Sequence, residues 1–319
     1  MADIKKIGVL TGGGDCSGLN AVLRAVVLTA IHKYGCEVVG FRKGYAGLYA
    51  NDSMILNEEN CKDILDWGGT ILKNSNKDNL FNYAYRDENG KIQHKDVSDV
   101  AVQNLKDHNI DALVVIGGDG TILKAARFYS EYETPIFGIN LGRLGFLSQA
   151  SPDNLLESVS KILKEDYKVE KRSMLTANGY IALNDFVIKG DFSARTSRFA
   201  LEINGKFVCE YLADGIIIST PTGSTAYGMA AGGPVLAPDV DAIVIVPICP
   251  HTFSARPIVV SANDEIKIFP CKNNESKVTA DGQIAFSWNS ELFIKRAPKK
   301  ANLALLNEND FYSVLRNKL

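Results

Sequence analysis

The chain has 319 residues, 46% of them hydrophobic and 23% charged, which allows two domains and a large buried core in an ordinary soluble protein. Lys and Arg (35) nearly balance Asp and Glu (37), which excludes a basic surface made for nucleic acid or an anionic membrane. No apolar run reaches membrane-spanning length, MADIKK carries no signal core, and the six cysteines form no C-x-x-C pair, so free thiols and a cytoplasmic setting are expected.

Residues 7–11 read as a short buried strand, broken by the turn GGGDCSG. From Asn20 to Tyr34 apolar residues recur at helical spacing (Val22, Leu23, Val26, Val27, Ala30, Ile31), and Gly35 closes the helix. Residues 36–41 return as a strand. A polar excursion with an Asn89-Gly90 turn follows, then a helix over 96–108, a fully apolar strand over 112–116 and another over 135–139. Such alternation predicts a parallel sheet covered by helices. An amphipathic helix at 152–165 marks the change of character, and the expected domains are residues 1–150 and 151–304. From about residue 170 short β-rich segments follow one another between Gly, Asn, Asp and Pro, and EINGKF is a hairpin signal at Asn204-Gly205.

Two glycine-rich turns each follow a strand and open a helix, where backbone N–H groups and the helix dipole favour an anion. The first, TGGGDCSGLNAVLRAVV (11–27), lacks the Gly-Lys-Ser/Thr of a Walker A loop and is either a phosphate site or a plain tight turn. The second, GGDGT (117–121), places Asp119 among glycines as a metal ligand or a base. At the C-terminal ends of strands in one parallel sheet, both turns would line one crevice suited to a nucleoside triphosphate with Mg²⁺. The segment LADGIIISTPTGSTAYGMAAGGP (212–234) concentrates Asp214, Ser219, Thr220, Thr222, Ser224, Thr225 and Tyr227. These side chains either bind sugars and phosphates or cap turns. Asn184 and Asp185 make an amide–carboxylate pair able to grip a ribose or a base edge. Lys124 and Arg195 are ligand contacts or solvated charges. His251 is better explained as structural than as catalytic, and the four histidines make no metal-like cluster.

Two resemblances lie in this one chain. IGVLTGGGDCSGLNAVLRAVV, GFRKGYAGLY, WGGTILKNSNKDN and IDALVVIGGDGT, spread over residues 5–126, resemble the first half of a bacterial 6-phosphofructokinase. IGGDGTILKAARF, PIFGINLGRLGFLS, ALNDFVI, the long segment from ADGIIISTPTGSTAY to CPHTFSARP, ADGQ and the terminal FYSVLRNKL, spread over 111–319, are similar to NAD kinase. The two overlap at GGDGT, where the halves of a fused or chimeric chain would join. The phosphofructokinase family also carries a GTIDND stretch whose aspartate is the base for the sugar hydroxyl. The corresponding region here reads ETPIFGINLGRLGF, without that carboxylate, so sugar-phosphate phosphorylation is not expected.

The NAD kinase resemblance implies an α/β domain followed by a β-sandwich-like domain, with about the last 15 residues returning to the first. It implies transfer of the ATP terminal phosphate to the adenosine ribose 2′-hydroxyl of NAD, with Mg²⁺ near Asp119. Asp119 would be the catalytic base, with Gly120 and Lys124 beside the dinucleotide and Phe146 near the adenine. Asn184, Asp185 and Arg195 would bind the adenine end. Asp214, Thr225, Ala226, Tyr227 and Ala230 would wall the dinucleotide, with Gln283 of ADGQ as a further contact. Gly13, Gly14, Gly118, Gly120 and Thr121 would hold ATP, and the protein would be a dimer or tetramer. Ala230 stands where the family commonly has serine, and Asp185 where many members have glutamate. The region before Gly117 is also much longer than in NAD kinases, and Asn76 and Lys77 replace a nucleotide-binding arginine of some phosphofructokinases. The alternatives are a silent NAD(P)-binding hybrid or a residual phosphofructokinase.

Overall fold

The structure, a computed structural model, describes residues 4–13, 18–75, 80, 83–130, 134–140, 145–151, 154–190, 197–252, 254–270, 276–288, 290–306 and 310–318. Gly14, Cys16, Asn76, Lys77, Arg195 and Cys271 lie outside them. The chain divides into two compact units, residues 1–170 with 302–319 and residues 171–301.

In the first unit β1 (Lys6–Thr11) leads to α1 (Leu19–Tyr34), β2 (Glu37–Phe41), α2 (Tyr45–Ala50), β3 (Ser53–Leu56) and α3 (Glu58–Cys61). The hairpin β4 (Tyr83–Arg86) and β5 (Ile92–Lys95) precedes α4 (Ser98–Asp107). Then come β6 (Ala112–Ile116), α5 (Asp119–Tyr129), β7 (Ile136–Ile139), α6 (Leu155–Leu163) and β8 (Lys168–Arg172). The second unit carries β9 (Leu175–Ala177), β10 (Tyr180–Ala182), β11 (Asp185–Lys189), β12 (Ser197–Ile203), β13 (Lys206–Ala213) and β14 (Gly215–Ser219). It continues with α7 (Tyr227–Ala230), β15 (Ala242–Ile248), β16 (Ile258–Ser261), β17 (Ile266–Pro270), β18 (Ser276–Ala280), β19 (Ile284–Trp288) and β20 (Leu292–Arg296). After β21 (Ala301–Leu305) the chain ends in α8 (Phe311–Arg316).

The first sheet has the order β3-β2-β1-β6-β7-β21-β8. It is parallel from β2 to β21, and the antiparallel β3 closes one edge. Strand order reverses between β1 and β6, because the chain leaves β1 toward β2 on one side and β6 toward β7 on the other. The two glycine turns emerge at that switch point, where open α/β sheets bind ligands. Below them the predicted face of α1 (Val22, Leu23, Val26, Val27, Ala30) is buried against the sheet. Gly35, at φ 65°, ends α1 by donating its N–H to the carbonyls of Ala30 and Ile31, which a residue with a Cβ does less readily.

The second unit is built from two six-stranded sheets, β10-β9-β20-β17-β12-β13 and β16-β15-β14-β11-β18-β19, antiparallel at every described pairing. Phe186, Ile188, Phe199, Leu201, Ile216, Ile218 and Ile268 are shut off from solvent on their inner faces. Asn204 and Gly205 both adopt positive φ, as a two-residue turn between β12 and β13 requires. The four described cysteines, Cys36, Cys61, Cys209 and Cys249, are free. Replacing Phe186 by Ala should open a cavity in this core and lower the unfolding free energy by about 3–5 kcal/mol in a denaturant titration. An unchanged midpoint and slope would contradict that packing.

Candidate active site

In the first unit the turns after β1 and β6 lie against each other. Gly12 donates its N–H to the carbonyl of Ile116 (3.0 Å), and a Cβ on Gly117 would strike the Gly12 carbonyl and the Thr121 side chain. Gly13 holds φ 96°. Thr121 is buried between the turns and accepts at its carbonyl from the Tyr45 hydroxyl (3.0 Å). Gly118 and Gly120 stay exposed. The predicted donor-site residues that are described, Gly13, Gly118, Gly120 and Thr121, are thus gathered at one end of the sheet.

Asp119 is the first residue of α5. Its Oδ2 accepts the N–H of Phe146 (3.1 Å), while Oδ1 is shielded from solvent and has no hydrogen-bond partner. The carboxylate fills the space in which Gly145 would carry a Cβ. Gly145 in turn donates its N–H to the Ser148 hydroxyl (2.7 Å). Burial raises the proton affinity of Asp119 above that of an ordinary aspartate. The Phe146 N–H, the Lys318 ammonium and groups of Leu147 and Ser148 pull it partly back. Phe146 packs against Phe311 of α8, ring centroids 5.9 Å apart, and the Lys318 ammonium stands 5.5 Å from the Phe146 ring. Lys124 lies half-buried one turn further along α5. The terminal segment thereby contributes a cation and an aromatic wall, and neither Phe311 nor Lys318 stood out in the sequence.

In the second unit Asn184, Asp185, Ala226 and Tyr227 line one cavity of about 380 Å³ with Val187, Lys189, Lys277, Thr279, Asp281 and Gly282. Two features hold the Asn184 backbone. Asp281 accepts three successive backbone N–H groups at its carboxylate, from Leu183 (3.1 Å), Asn184 (2.7 Å) and Asp185 (3.2 Å). The Asn184 carbonyl accepts the Thr220 N–H (2.9 Å), and Gly223 approaches it so closely that a Cβ there would overlap the backbone. Sequence reasoning named ADGQ for Gln283 but missed Asp281. Its role is to organise a segment nearly a hundred residues away, which no local spacing signals.

The structure also sorts the hydroxyl-rich segment. Ser219, Thr220 and Ser224 are buried and bond to backbone groups of Asn184, Leu183 and Pro221, and the buried Thr222 hydroxyl accepts from Arg172. These hydroxyls shape the fold. Thr225 and Ala226 are half-buried, while Tyr227 and Ala230 are exposed. Asp214 sits apart at the end of β13, half-exposed, with the His251 imidazole 3.9 Å from its carboxylate. Gln283 turns back to donate its N–H to Ala280.

Burial and the neighbouring Asp281 carboxylate push Asp185 up to about 7. Because its proton is bound more tightly in the fold than in the unfolded chain, Asp185 supports stability fully below the usual aspartate range. That support is lost as pH rises toward 7. Asp185→Asn should therefore flatten the fall in unfolding free energy between about pH 4 and 7. A variant with the wild-type slope would place the proton elsewhere.

Comparison with known proteins gives the family and the fold. Residues 183–305 match the ATP-NAD kinase C-terminal domain family, and residues 6–141 match the phosphofructokinase family. The chain is 42% identical over 221 residues to an NAD kinase of Caldanaerobacter subterraneus, covering 66% of this chain and 78% of that protein. It is 44% identical over 222 residues to an NAD kinase of Pseudomonas entomophila, covering 66% and 75%. Its fold is shared with an Archaeoglobus fulgidus NAD kinase solved in complex with ATP, at TM-score 0.68 and 23% identity over 97% of this chain and 98% of the other. A yeast NADH kinase complexed with NADH superposes at TM-score 0.71 and 22% identity, over 99% and 87%.

Proposed function

The chain belongs to the NAD kinase family, and from that premise we propose how its residues phosphorylate NAD with ATP to give NADP. Asp119 is the base. The adenosine ribose 2′-hydroxyl gives its proton to the Asp119 carboxylate as the bond from its oxygen to the ATP γ-phosphorus forms. The bond from that phosphorus to the bridging oxygen breaks, and ADP leaves with the electron pair. The observation that carries this reading is a carboxylate held by one oxygen, its other oxygen unpartnered, in surroundings that raise its proton affinity. The glycine turns at Gly13 and at Gly118–Thr121, at the N-terminal side of α5, take the ATP phosphates, with Gly14 beside Gly13 in sequence.

We place Mg²⁺ with the ATP phosphates near Asp119, whose carboxylate would help to hold it; among the described residues no group of three or more His, Cys, Asp or Glu is gathered for a metal ion. When present it neutralises phosphate charge. Lys124 and Phe146 flank the base. In the second unit Asn184 and Asp185 take the adenine end, and Tyr227, Thr225 and Ala226 form the wall, with Arg195, Asp214, Ala230 and Gln283 as further contacts. We read the protein as a cytoplasmic homo-oligomer, a dimer or tetramer. In support, the edge strand β13 exposes Phe207 and Val208, and an apolar edge of that kind pairs readily with another copy. No described helix is long and apolar enough to cross a membrane.

Asp119→Asn should cut NADP formation about 10²–10⁴-fold while retaining NAD binding in equilibrium dialysis. Turnover near the wild-type rate would remove Asp119 from the chemistry. The acid limb of kcat/KM for NAD should lie above the range of a free aspartate, because Asp119 must lose a tightly held proton to act. Lys318→Met, which removes a charge that favours the carboxylate, should move that limb to higher pH. A limb that stays in place would dissociate Lys318 from the base.

A further inference from the structure

The cavity beside Asn184 and Asp185 has a second end whose two lysines the roles above leave unused. β11 and β18 are antiparallel neighbours, and their cavity-lining residues form matched rows. Asp185 stands beside Asp281, Val187 opposite Thr279, and Lys189 opposite Lys277. Two carboxylates therefore mark one end and two ammonium groups the other. Asp185 and Lys189 are four residues apart on one strand, roughly 14 Å at the usual strand rise. Val187 and Thr279 supply a neutral floor between them.

Like charges set directly opposite on a sheet face repel each other. A cavity wall that places two lysines in such register, with carboxylates at the far end, is polarised for a ligand of matching polarity. The ligand would be a hydrogen-bond donor at the aspartate end and an anion at the lysine end. The Lys189 ammonium lies 5.5 Å from the Tyr227 ring centroid, and Tyr227 lines the same cavity, so the cation is drawn along the wall. Lysine, a compact charge on a flexible stem, suits phosphate oxygens.

We propose that Lys189 and Lys277 form the phosphate subsite of this cavity, receiving the phosphate-bearing part of the dinucleotide whose adenine end lies at Asn184 and Asp185. The inference rests on the reading that NAD occupies this cavity, and its test separates the two. Adenosine and ADP-ribose are measured as inhibitors competitive with NAD, at saturating ATP and at two salt concentrations. The full-length protein, Lys189→Met/Lys277→Met and Asn184→Ala are compared.

In the double lysine variant the Ki of ADP-ribose should rise about tenfold and lose most of its dependence on salt. The Ki of adenosine should stay at its wild-type value, which also shows that the variant is folded. A wild-type Ki for ADP-ribose overturns the proposal. So does an equal rise for both inhibitors, since the lysines would then shape the base end rather than bind phosphate. Asn184→Ala tests the underlying reading: it should weaken adenosine, and an unchanged adenosine Ki would move NAD out of this cavity. A raised adenosine Ki in Asn184→Ala with no lysine effect leaves the reading standing and sinks the phosphate subsite alone.

Discussion

The Asp119 carboxylate occupies the space that a side chain on residue 145 would fill, and the burial and proton affinity of that carboxylate depend on this packing. A carboxylate on the first turn of a helix is normally solvated, and its proton affinity is then too low for it to serve as a strong base. Here residues 145–148 fold over it. The Phe146 N–H fixes one oxygen and Gly145 lends the room, while burial raises the affinity of the carboxylate for a proton. The glycine at 145 therefore shapes the surroundings of this carboxylate as much as any group that bonds to it. The C-terminal segment completes the arrangement with Phe311 against Phe146 and Lys318 within electrostatic reach of the carboxylate.

A comparable economy governs the second unit. One carboxylate, Asp281, gathers three consecutive backbone N–H groups, and one glycine turn, TPTGST, clamps the Asn184 carbonyl from the other side. Asn184 and Asp185 are thus held by their backbone, which leaves their side chains to the cavity. The cost is electrostatic. Two nearly buried carboxylates lie close together, and Asp185 gives way by holding its proton toward neutral pH.

Much of this was legible in the sequence where the signal is local. The period of α1 and its closing Gly35, the apolar run of β6 and the Asn204-Gly205 turn each rest on neighbouring residues, and each appears as read. The α/β architecture followed by antiparallel sheets was legible for the same reason. The antiparallel β3 was not, because SMIL is short and Ile55 points to solvent, so no alternation marks it. Asp281, Gly145, Phe311 and Lys318 escaped because each acts on a partner 26 or more residues away, through a backbone N–H, a missing Cβ, a ring face or a charge. The hydroxyl-rich segment misled in part. Its composition suits a sugar or a set of turn caps equally well, and only burial shows that Ser219, Thr220 and Ser224 serve the backbone.

The phosphofructokinase match over residues 6–141 and the NAD kinase match over residues 183–305 describe different stretches of one chain. The glycine turn at 117–121 serves either parentage, but the residues C-terminal to it decide the acceptor. The resemblance sets the region ETPIFGINLGRLGF, without the sugar-kinase aspartate, against a sugar acceptor. The most direct test gives the purified protein ATP and Mg²⁺ with NAD in one reaction and fructose 6-phosphate in another, and measures both products. NADP should form in the first and no sugar bisphosphate in the second. Sugar bisphosphate formed without NADP would contradict the assignment of Asp119 to NAD and give the activity to the first half of the chain.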